Sequence, residues 1–256
     1  MMNFRNAIDV ILYRAYSEMR AEVANGSMGM LIWVLEPVLY LGAFYIIFSA
    51  LGLRGGADAV PFLLIGLVVW KWFASSVYRG ASSIQAAATV MQQIHVPKYV
   101  FLISVLLSVF YQFLIVFGLL SVFLLLYGIE PGWGWFHLIT VVFVQLLLTV
   151  GIAGMFAVFL PFLPDLHVVI SNGLTMVFFM SGIFFEINSV SGFYQRILYL
   201  NPMATMIEAY RDVFLTGQVG DWFSLGVVAL VSLVLIAIVI FMLHKWDRVY
   251  PKVLPV

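Results

Sequence analysis

The sequence predicts an all-α integral membrane protein with six transmembrane helices. Hydrophobic residues make up 64% of the 256 positions and charged residues only 9%, with a mean hydropathy of +1.10. Soluble domains average about 45–50% apolar and about 25% charged residues. Apolar stretches long enough to cross a bilayer also recur along the chain, separated by short polar segments. This chain therefore buries its surface in lipid.

A helix needs about 20 residues to cross the hydrocarbon core. The predicted spans are residues 31–53, 61–78, 100–127, 136–160, 167–185 and 225–243. The second is short unless it continues past Lys71, and the third is long enough that it must tilt or protrude.

Residues 1–25 predict an amphipathic helix rather than a span. Phe4, Ile8, Ile11, Ala15 and Met19 recur at helical spacing on one face. Such a helix lies in the membrane interface or packs against a partner protein, and the two interpretations are compatible.

The distribution of Lys and Arg predicts the orientation. Nine of the twelve basic residues fall on the side that holds both termini, which is therefore expected to be cytoplasmic. Asp9, Glu18 and Glu22 among the apolar positions of residues 1–25 argue against a cleaved signal peptide.

Residues 186–224 are too polar to span a membrane and too apolar for an ordinary loop. Residues 193–200 predict one short helix, and a second begins at Met203 with Met206, Tyr210 and Val213 along one stripe. Either Glu208 or Asp212 is placed to neutralise Arg211. We expect a re-entrant helical hairpin beside an external cavity; the alternative is a hairpin lying flat on the surface.

No motif in the chain predicts catalysis. The sequence has no G-x-x-x-x-G-K-[ST] loop and no cysteine, and its four histidines lie far apart without carboxylates at metal-ligand spacing. Net charge zero without a basic run argues against nucleic acid as a partner. We expect no metal and no intrinsic energy source.

Several polar and aromatic groups fall at membrane depth, where they are costly. Glu36 faces a water-filled path, pairs with Lys71 or Arg79, or is a carboxylate at the start of the helix. The aromatic residues of the first and fifth spans contact lipid, or stack against sugar rings. Residues 79–98 and 161–166 would suit docking of a soluble motor, or serve as linkers.

Three stretches resemble the ABC-2 type exporters, specifically the branch that exports O-antigen and capsular polysaccharide. They are GMLIWVLEP at residues 29–37, QQIHVPK at residues 92–98 and YLNPMATMIEAYRDVFLTGQ at residues 199–218. Pro164-Asp165 departs from the Arg-Asp pair that many O-antigen permeases carry in the turn between the fourth and fifth spans.

The resemblance implies a homodimer that works with two copies of a separate ABC ATPase in the bacterial inner membrane. MgATP would bind to that partner, this chain would hold no cofactor, and the substrate would be a lipid-linked polysaccharide. The residues expected to line the channel are Glu36, Tyr40, Phe44, Phe178 and Phe185. The residues expected at the external gate are Asn201, Pro202, Glu208 and Arg211. Those expected to couple to the ATPase are Arg79, Gln92, His95, Lys98, Pro164 and Asp165. Arg14 and Arg20 are expected at a head-group entrance.

Other functions stay open at this point. An ABC-2 exporter of a drug, a small lipid or teichoic acid shares the fold and differs in its channel aromatics. An integral-membrane transferase would need a cluster of His, Asp or Glu at one depth, which the sequence does not show.

Overall fold

The computed structural model describes residues 4–25, 59–93, 96–190, 192–247 and 249–253, and the single positions 35, 38, 39, 42, 43 and 46. Across these residues the chain is helical and forms no strand. The α-helices of the described ranges, numbered in chain order, are α1 (Phe4–Asn25), α2 (Ala59–Ala86), α3 (Ala88–Gln93), α4 (Lys98–Leu126), α5 (His137–Phe159), α6 (Leu166–Met180), α7 (Phe193–Tyr199), α8 (Pro202–Thr216), α9 (Trp222–Trp246) and α10 (Tyr250–Val253). Short 3-10 helices cover Trp133–Phe136 and Ile187–Ser189.

Four helical segments of the described chain are long and apolar enough to cross a membrane. They are Ala59–Gln93, Lys98–Leu126, Trp133–Phe159 and Trp222–Trp246. These segments correspond to the predicted second, third, fourth and sixth spans. The predicted first span, residues 31–53, lies almost entirely outside the described residues.

The helix α2 forms the centre of the bundle. It packs against both α4 and α5, and 72% of an 18-residue apolar stretch of the segment Ala59–Gln93 is buried. The helix α9 packs on α5, and only 22% of its 18-residue apolar stretch is buried. Because the exposed side of α9 is apolar from Trp222 to Phe241, that side suits contact with acyl chains.

Small residues let α5 and α9 approach closely. A Cβ at Gly154 would stand 2.8 Å from Val239 Cγ1, and one at Gly151 would stand 3.0 Å from Leu235 Cβ. Helices in membranes associate largely through this kind of close backbone packing, because lipid removes the usual hydrophobic driving force.

The helix that contains the predicted second span, α2, continues without a break past Tyr78 to Ala86, into the predicted coupling segment 79–98. The continuation packs closely, since a Cβ at Gly80 would stand 2.9 Å from Ala153 Cβ and 3.1 Å from Leu106 Cδ2. Lys71 lies near the middle of α2.

The predicted fifth span, residues 167–185, corresponds to a shorter helix. Here α6 has 15 residues, about 22 Å at 1.5 Å per residue. It ends at Met180, with Ser181 as its C-cap. The chain then turns at Gly182, whose φ of 67° lies in the left-handed region that favours glycine. Of its residues only Ile170 is buried, so most of α6 is exposed in this chain.

Both helices predicted within residues 186–224 are present, as α7 and α8. The Asn201-Pro202 pair that was expected to end the first of them also begins the second: Asn201 Oδ1 accepts a hydrogen bond of 3.0 Å from the Met203 N–H, and Pro202 occupies the first turn. Gly217, at φ 73°, ends α8. Met206, Tyr210 and Val213 are fully buried, and α8 packs against α2 and α5.

The opening helix α1 is present, and its packed face matches the predicted stripe in part. Ala15 is buried and Ile11 packs against the bundle as predicted, whereas Ile8 is 41% exposed and Ala7, outside the stripe, is buried. The helix α1 runs parallel to α4. Glu18 accepts a hydrogen bond from Ser108, and one turn later Glu22 accepts one from Gln112. These polar pairs set the rotation of α1, which an apolar pattern alone does not determine.

Candidate functional site

The side chains predicted to form an external gate converge at one end of the bundle. This end, called the hairpin end below, contains the start of α2, the turn after α6, α7, α8 and the start of α9. The opposite end, called the α10 end, contains α3, the turn at residues 161–166, the start of α4 and α10.

Arg211 holds α8 to two other elements through backbone carbonyls. Its Nη1 donates to Gly182 O and its Nη2 donates to Ile183 O, both at 2.8 Å, while Nε donates to Phe62 O at 3.1 Å. The guanidinium carbon also lies 3.3 Å from the centroid of the Phe62 ring. Arg211 therefore joins α8 to the start of α2 and to the turn that follows α6.

This arrangement corrects the expected ion pairs. Among the described residues neither Glu208 nor Asp212 forms a salt bridge with Arg211, whose donors are taken by carbonyls. Burial lowers the pKa of the Arg211 guanidinium to about 9, so it stays charged at neutral pH. Gly66 makes room for it: a Cβ there would stand 2.8 Å from Nη2.

Glu208 instead organises a polar network between α7, α8 and the preceding 3-10 turn. Its carboxylate accepts from Asn188 Nδ2 and from the Tyr199 hydroxyl, both at 2.8 Å. Asn188 Oδ1 in turn accepts from the Tyr199 hydroxyl and from Gln195 Nε2. Burial raises the pKa of the Glu208 carboxyl, and the two hydrogen bonds that it accepts oppose this rise.

Asn201 connects the hairpin to the end of α6. Its Nδ2 donates to Ser181 Oγ at 2.7 Å while its Oδ1 caps α8, so both ends of one amide are used. Pro202 is the first residue of α8 and lies beside this cap. All four predicted gate residues thus lie on α8 or at its start, within a single polar frame.

Two adjoining cavities open beside this frame. The larger, of about 490 Å³, is bordered by Asn188, Tyr199, Thr205, Glu208, Asp212 and Asp221 among others. The smaller, of about 230 Å³, shares Asn188, Glu208 and Asp212 with it and also touches Arg211 and Glu186. A polar cavity was expected on this part of the chain, and these two lie there.

Asp212 and Asp221 both border the larger cavity, and their pKa values are shifted in opposite directions. Burial raises the pKa of Asp212, with partial compensation from the Gly220 N–H, and a Cβ at Gly220 would collide with that carboxylate. Asp221 caps α9 by accepting from the Phe223 and Ser224 N–H groups and from the Ser224 hydroxyl, and these bonds lower its pKa.

Most of the basic residues predicted for ATPase coupling or for a head-group entrance form ion pairs within this chain. Arg79 Nη1 lies 3.0 Å from Glu22 Oε2 and also donates to Gln112 Oε1, while Nη2 donates to Ser108 Oγ. This contact joins α2, α1 and α4. Arg14 pairs with Glu18 at 3.2 Å and lies over the Phe101 ring, whereas Arg20 is exposed.

Lys98 is the least accessible of the residues predicted to couple to an ATPase. Its side chain is 2% exposed, and its Nζ lies 3.1 Å from Asp247 Oδ1. Gln92, Pro164 and Asp165 are exposed, as a docking surface requires. His95 lies outside the described residues.

Of the predicted channel residues, Glu36, Tyr40 and Phe44 lie outside the described residues. Phe178 packs into the bundle, 5.6 Å from Trp70 and 5.2 Å from Phe184 between ring centroids, while its neighbour Phe179 is 57% exposed. Phe185 is half-buried in the turn after α6. Phe179 is therefore more exposed than Phe178, the residue that was predicted to line the channel.

Sequence reasoning missed several residues of this frame. Asn188, Tyr199 and Thr205 sit in ordinary-looking polar or aromatic positions, and only Tyr199 carries a signal, since it lies two residues before Asn201. Gly66 and Asp247 were missed because their partners, Arg211 and Lys98, lie more than 140 residues away in the sequence.

The helical bundle and its polar hairpin can be compared with known proteins. The profile of the ABC-2 type transporter family matches residues 13–215. The chain belongs to the ABC-2 type transporter family. The matched region extends from α1 to the end of α8, so it includes the whole frame around Arg211 and Glu208.

Curated relatives of this ABC-2 protein carry a more specific name. An O-antigen export system permease protein RfbA of Klebsiella pneumoniae is 26% identical over 216 residues, covering 84% of this chain and 83% of the relative. The protein of the same name from Myxococcus xanthus is 27% identical over 221 residues, covering 86% and 85%. The similarity thus extends over most of both chains.

Proposed function

We propose that this chain is the membrane-spanning permease subunit of an ABC exporter that moves a lipid-linked polysaccharide, of the O-antigen type, out of the bacterial cytoplasm. The observation that carries the proposal is its similarity to two O-antigen export permeases over more than four fifths of the chain. The buried hairpin fits an export path, because polar backbone at membrane depth requires protein or water-filled space around it.

The proposed assembly is a homodimer with two copies of a separate ABC ATPase. The described residues offer an exposed surface for the ATPase at the α10 end, where Gln92, Pro164 and Asp165 lie. The mostly exposed α6 supports a second copy as its neighbour, since a helix with one buried residue gains packing from a partner.

In the proposed orientation the α10 end faces the cytoplasm and the hairpin end faces outside. Basic residues dominate the α10 end, in agreement with the positive-inside rule. In this orientation the hairpin, including Glu208 and Arg211, enters the outer leaflet as a re-entrant element. The first and fifth predicted spans, with Glu36, Tyr40, Phe44, Phe178 and Phe185, border the path.

Removal of this chain from its bacterial host tests the function. We expect surface polysaccharide to be lost and lipid-linked glycan to accumulate on the cytoplasmic side, with both effects reversed when the chain is restored. Normal surface polysaccharide in the deletion strain would contradict the proposal. Purified alone, the chain should hydrolyse no ATP, and hydrolysis should appear only with the separate ATPase.

A further inference from the structure

The larger cavity at the hairpin end has a chemistry that the gate function does not require. Its volume of about 490 Å³ lies within the range of about 300–1,000 Å³ typical of small-molecule sites. It opens to the surface beside the exposed residues Asn188 and Asp221. A gate held shut by Arg211 and Asn201 could close without such a space.

The border of this cavity is rich in both hydrogen-bond acceptors and neutral donors. Glu208, Asp212 and Asp221 supply carboxylates, while Asn188, Tyr199 and Thr205 supply amide and hydroxyl groups. None of the described residues that border it is basic. A ligand that fits this border carries several groups that both donate and accept, and it carries no negative charge.

Thr205 gives an independent indication of a ligand. The residue is only 8% exposed and borders the cavity, and its hydroxyl has no hydrogen bond with any residue that the structure describes. Every neighbouring polar side chain on α7 and α8 that forms the frame is paired. The Thr205 hydroxyl therefore offers one donor and one acceptor at the cavity border that a bound hydroxyl group can satisfy.

We propose that this cavity binds one neutral sugar unit of the glycan as it leaves the transporter. Sugar hydroxyls donate to the carboxylates of Asp212 and Glu208 and exchange a hydrogen bond with the Thr205 hydroxyl. The site retains the emerging chain on the outer side while the permease resets. This inference rests on the proposed function and names the substrate chemistry of its hairpin end.

Binding of simple sugars to the full chain tests the site directly. The protein is reconstituted in lipid nanodiscs without sugar-based detergent, and saturation-transfer NMR is recorded with neutral methyl glycosides of mannose, galactose and glucose. We expect weak, millimolar binding of at least one of them. Thr205→Val, which keeps the shape of the side chain and removes its hydroxyl, should weaken that binding about tenfold.

Thr140→Val is the matched control, because Thr140 is exposed on α5 and does not border the cavity. Its binding should equal that of the unaltered chain. Asp212→Asn serves as a second variant should Thr205→Val lower the yield of folded protein, and it should also weaken binding.

Three results would overturn the site. They are the absence of binding by any neutral glycoside, equal binding by Thr205→Val, and tighter binding of glucosamine or Ca²⁺, which would mark a cation site. Each of these leaves the export experiment on the deletion strain unaffected. Failure of that experiment with intact sugar binding would instead remove the transport function and keep the site.

Discussion

At the residue scale, Arg211 is the most heavily committed side chain of the hairpin. Its three hydrogen bonds go to the Phe62 carbonyl in the first turn of α2 and to the Gly182 and Ile183 carbonyls in the turn after α6. A planar guanidinium reaches several acceptors at fixed angles, whereas an ammonium is a single point. The residue therefore acts as a positioning group that holds three elements together.

Arg211→Lys should destabilise the protein although the charge is kept. At least two buried carbonyls lose their donor, which corresponds to a loss of about 3 kcal/mol. The measurement is the midpoint of thermal unfolding in detergent, followed by tryptophan fluorescence. Arg196→Lys is the matched control, because Arg196 is exposed on α7, and a drop as large in that variant would contradict the assignment.

The two aspartates of the larger cavity should give stability opposite dependences on pH. The pKa of Asp212 is raised above its usual 3.8, so the folded chain binds more protons than the unfolded chain just above that value, and stability falls as pH rises through this window. Asp221 has a lowered pKa, so its contribution is present above 3.8 and is lost as pH falls through its folded value.

Thermal midpoints recorded between about pH 3 and pH 7 separate the two effects. Asp212→Asn should remove part of the fall in stability toward neutral pH. Asp221→Asn should lower stability mainly at neutral pH, where the charged cap is intact in the unaltered chain. The same pH profile in both variants would refute the two electrostatic environments.

At the scale of elements, α8 depends on the contacts of Asn201, the N-cap residue directly before its first residue. The amide caps the helix through Oδ1 and joins it to α6 through Nδ2. The helix is otherwise held by a fully buried stripe against α2 and α5. Its formation and its attachment to α6 are therefore separable, because different atoms of one side chain carry them.

Asn201→Asp and Asn201→Ala should separate the cap from the attachment. The aspartate keeps an acceptor for the Met203 N–H and cannot donate to Ser181, whereas alanine loses both contacts. We expect about 1 kcal/mol of additional destabilisation in the alanine variant, the usual value of a cap. Ser181→Ala, which keeps the cap but removes both the attachment and the bond from Ser181 Oγ to Val177 O, should lower the thermal midpoint at least as much as the aspartate variant.

At the scale of the whole molecule, the two ends of the bundle are fastened by different chemistry. The hairpin end is held by hydrogen bonds to carbonyls and by the Glu208 network. The α10 end is held by Lys98 with Asp247 and by Tyr250, which is fully buried and donates to Val158 O at 3.4 Å. This second fastening links Lys98, the last residue of the predicted coupling segment and the first of α4, to Asp247 at the end of α9.

Lys98→Met should weaken this fastening, because it removes the Nζ that pairs with Asp247. Removing one partner of a buried pair costs about 3–5 kcal/mol, and the half-exposed position of Asp247 reduces the loss. The double variant Lys98→Met with Asp247→Leu should recover part of the lost stability. Additive losses in a double-mutant cycle of thermal unfolding would show that the pair is not coupled.

Much of the fold could be read from the sequence, because transmembrane helices are set by local composition. The spans near residues 100–127, 136–160 and 225–243, the two hairpin helices and the stripe through Tyr210 all follow from runs of apolar residues and from cap signals. The continuation of α2 past Tyr78 to Ala86 could not be read from hydropathy, because Gly80 packs against Ala153 and Leu106, which lie far away in the sequence.

The site was only partly predictable, for a similar reason. Asn201, Pro202, Glu208 and Arg211 stand out as polar groups in an apolar context, and they do meet at one end of the bundle. Their partners did not stand out: Arg211 donates to the carbonyls of Phe62, Gly182 and Ile183 and forms no salt bridge with Glu208 or Asp212. Lys98, predicted to couple to the ATPase, is buried and pairs with Asp247.

The sequence by itself determined that this chain is an all-helical membrane protein with a polar hairpin before its last span, since hydropathy and helix signals are properties of neighbouring residues. Only the tertiary structure decided which partner each charge takes, where α2 ends and that Thr205 faces a cavity without a partner. Those outcomes depend on distances between residues far apart in the chain, and these distances exist only once the helices have packed.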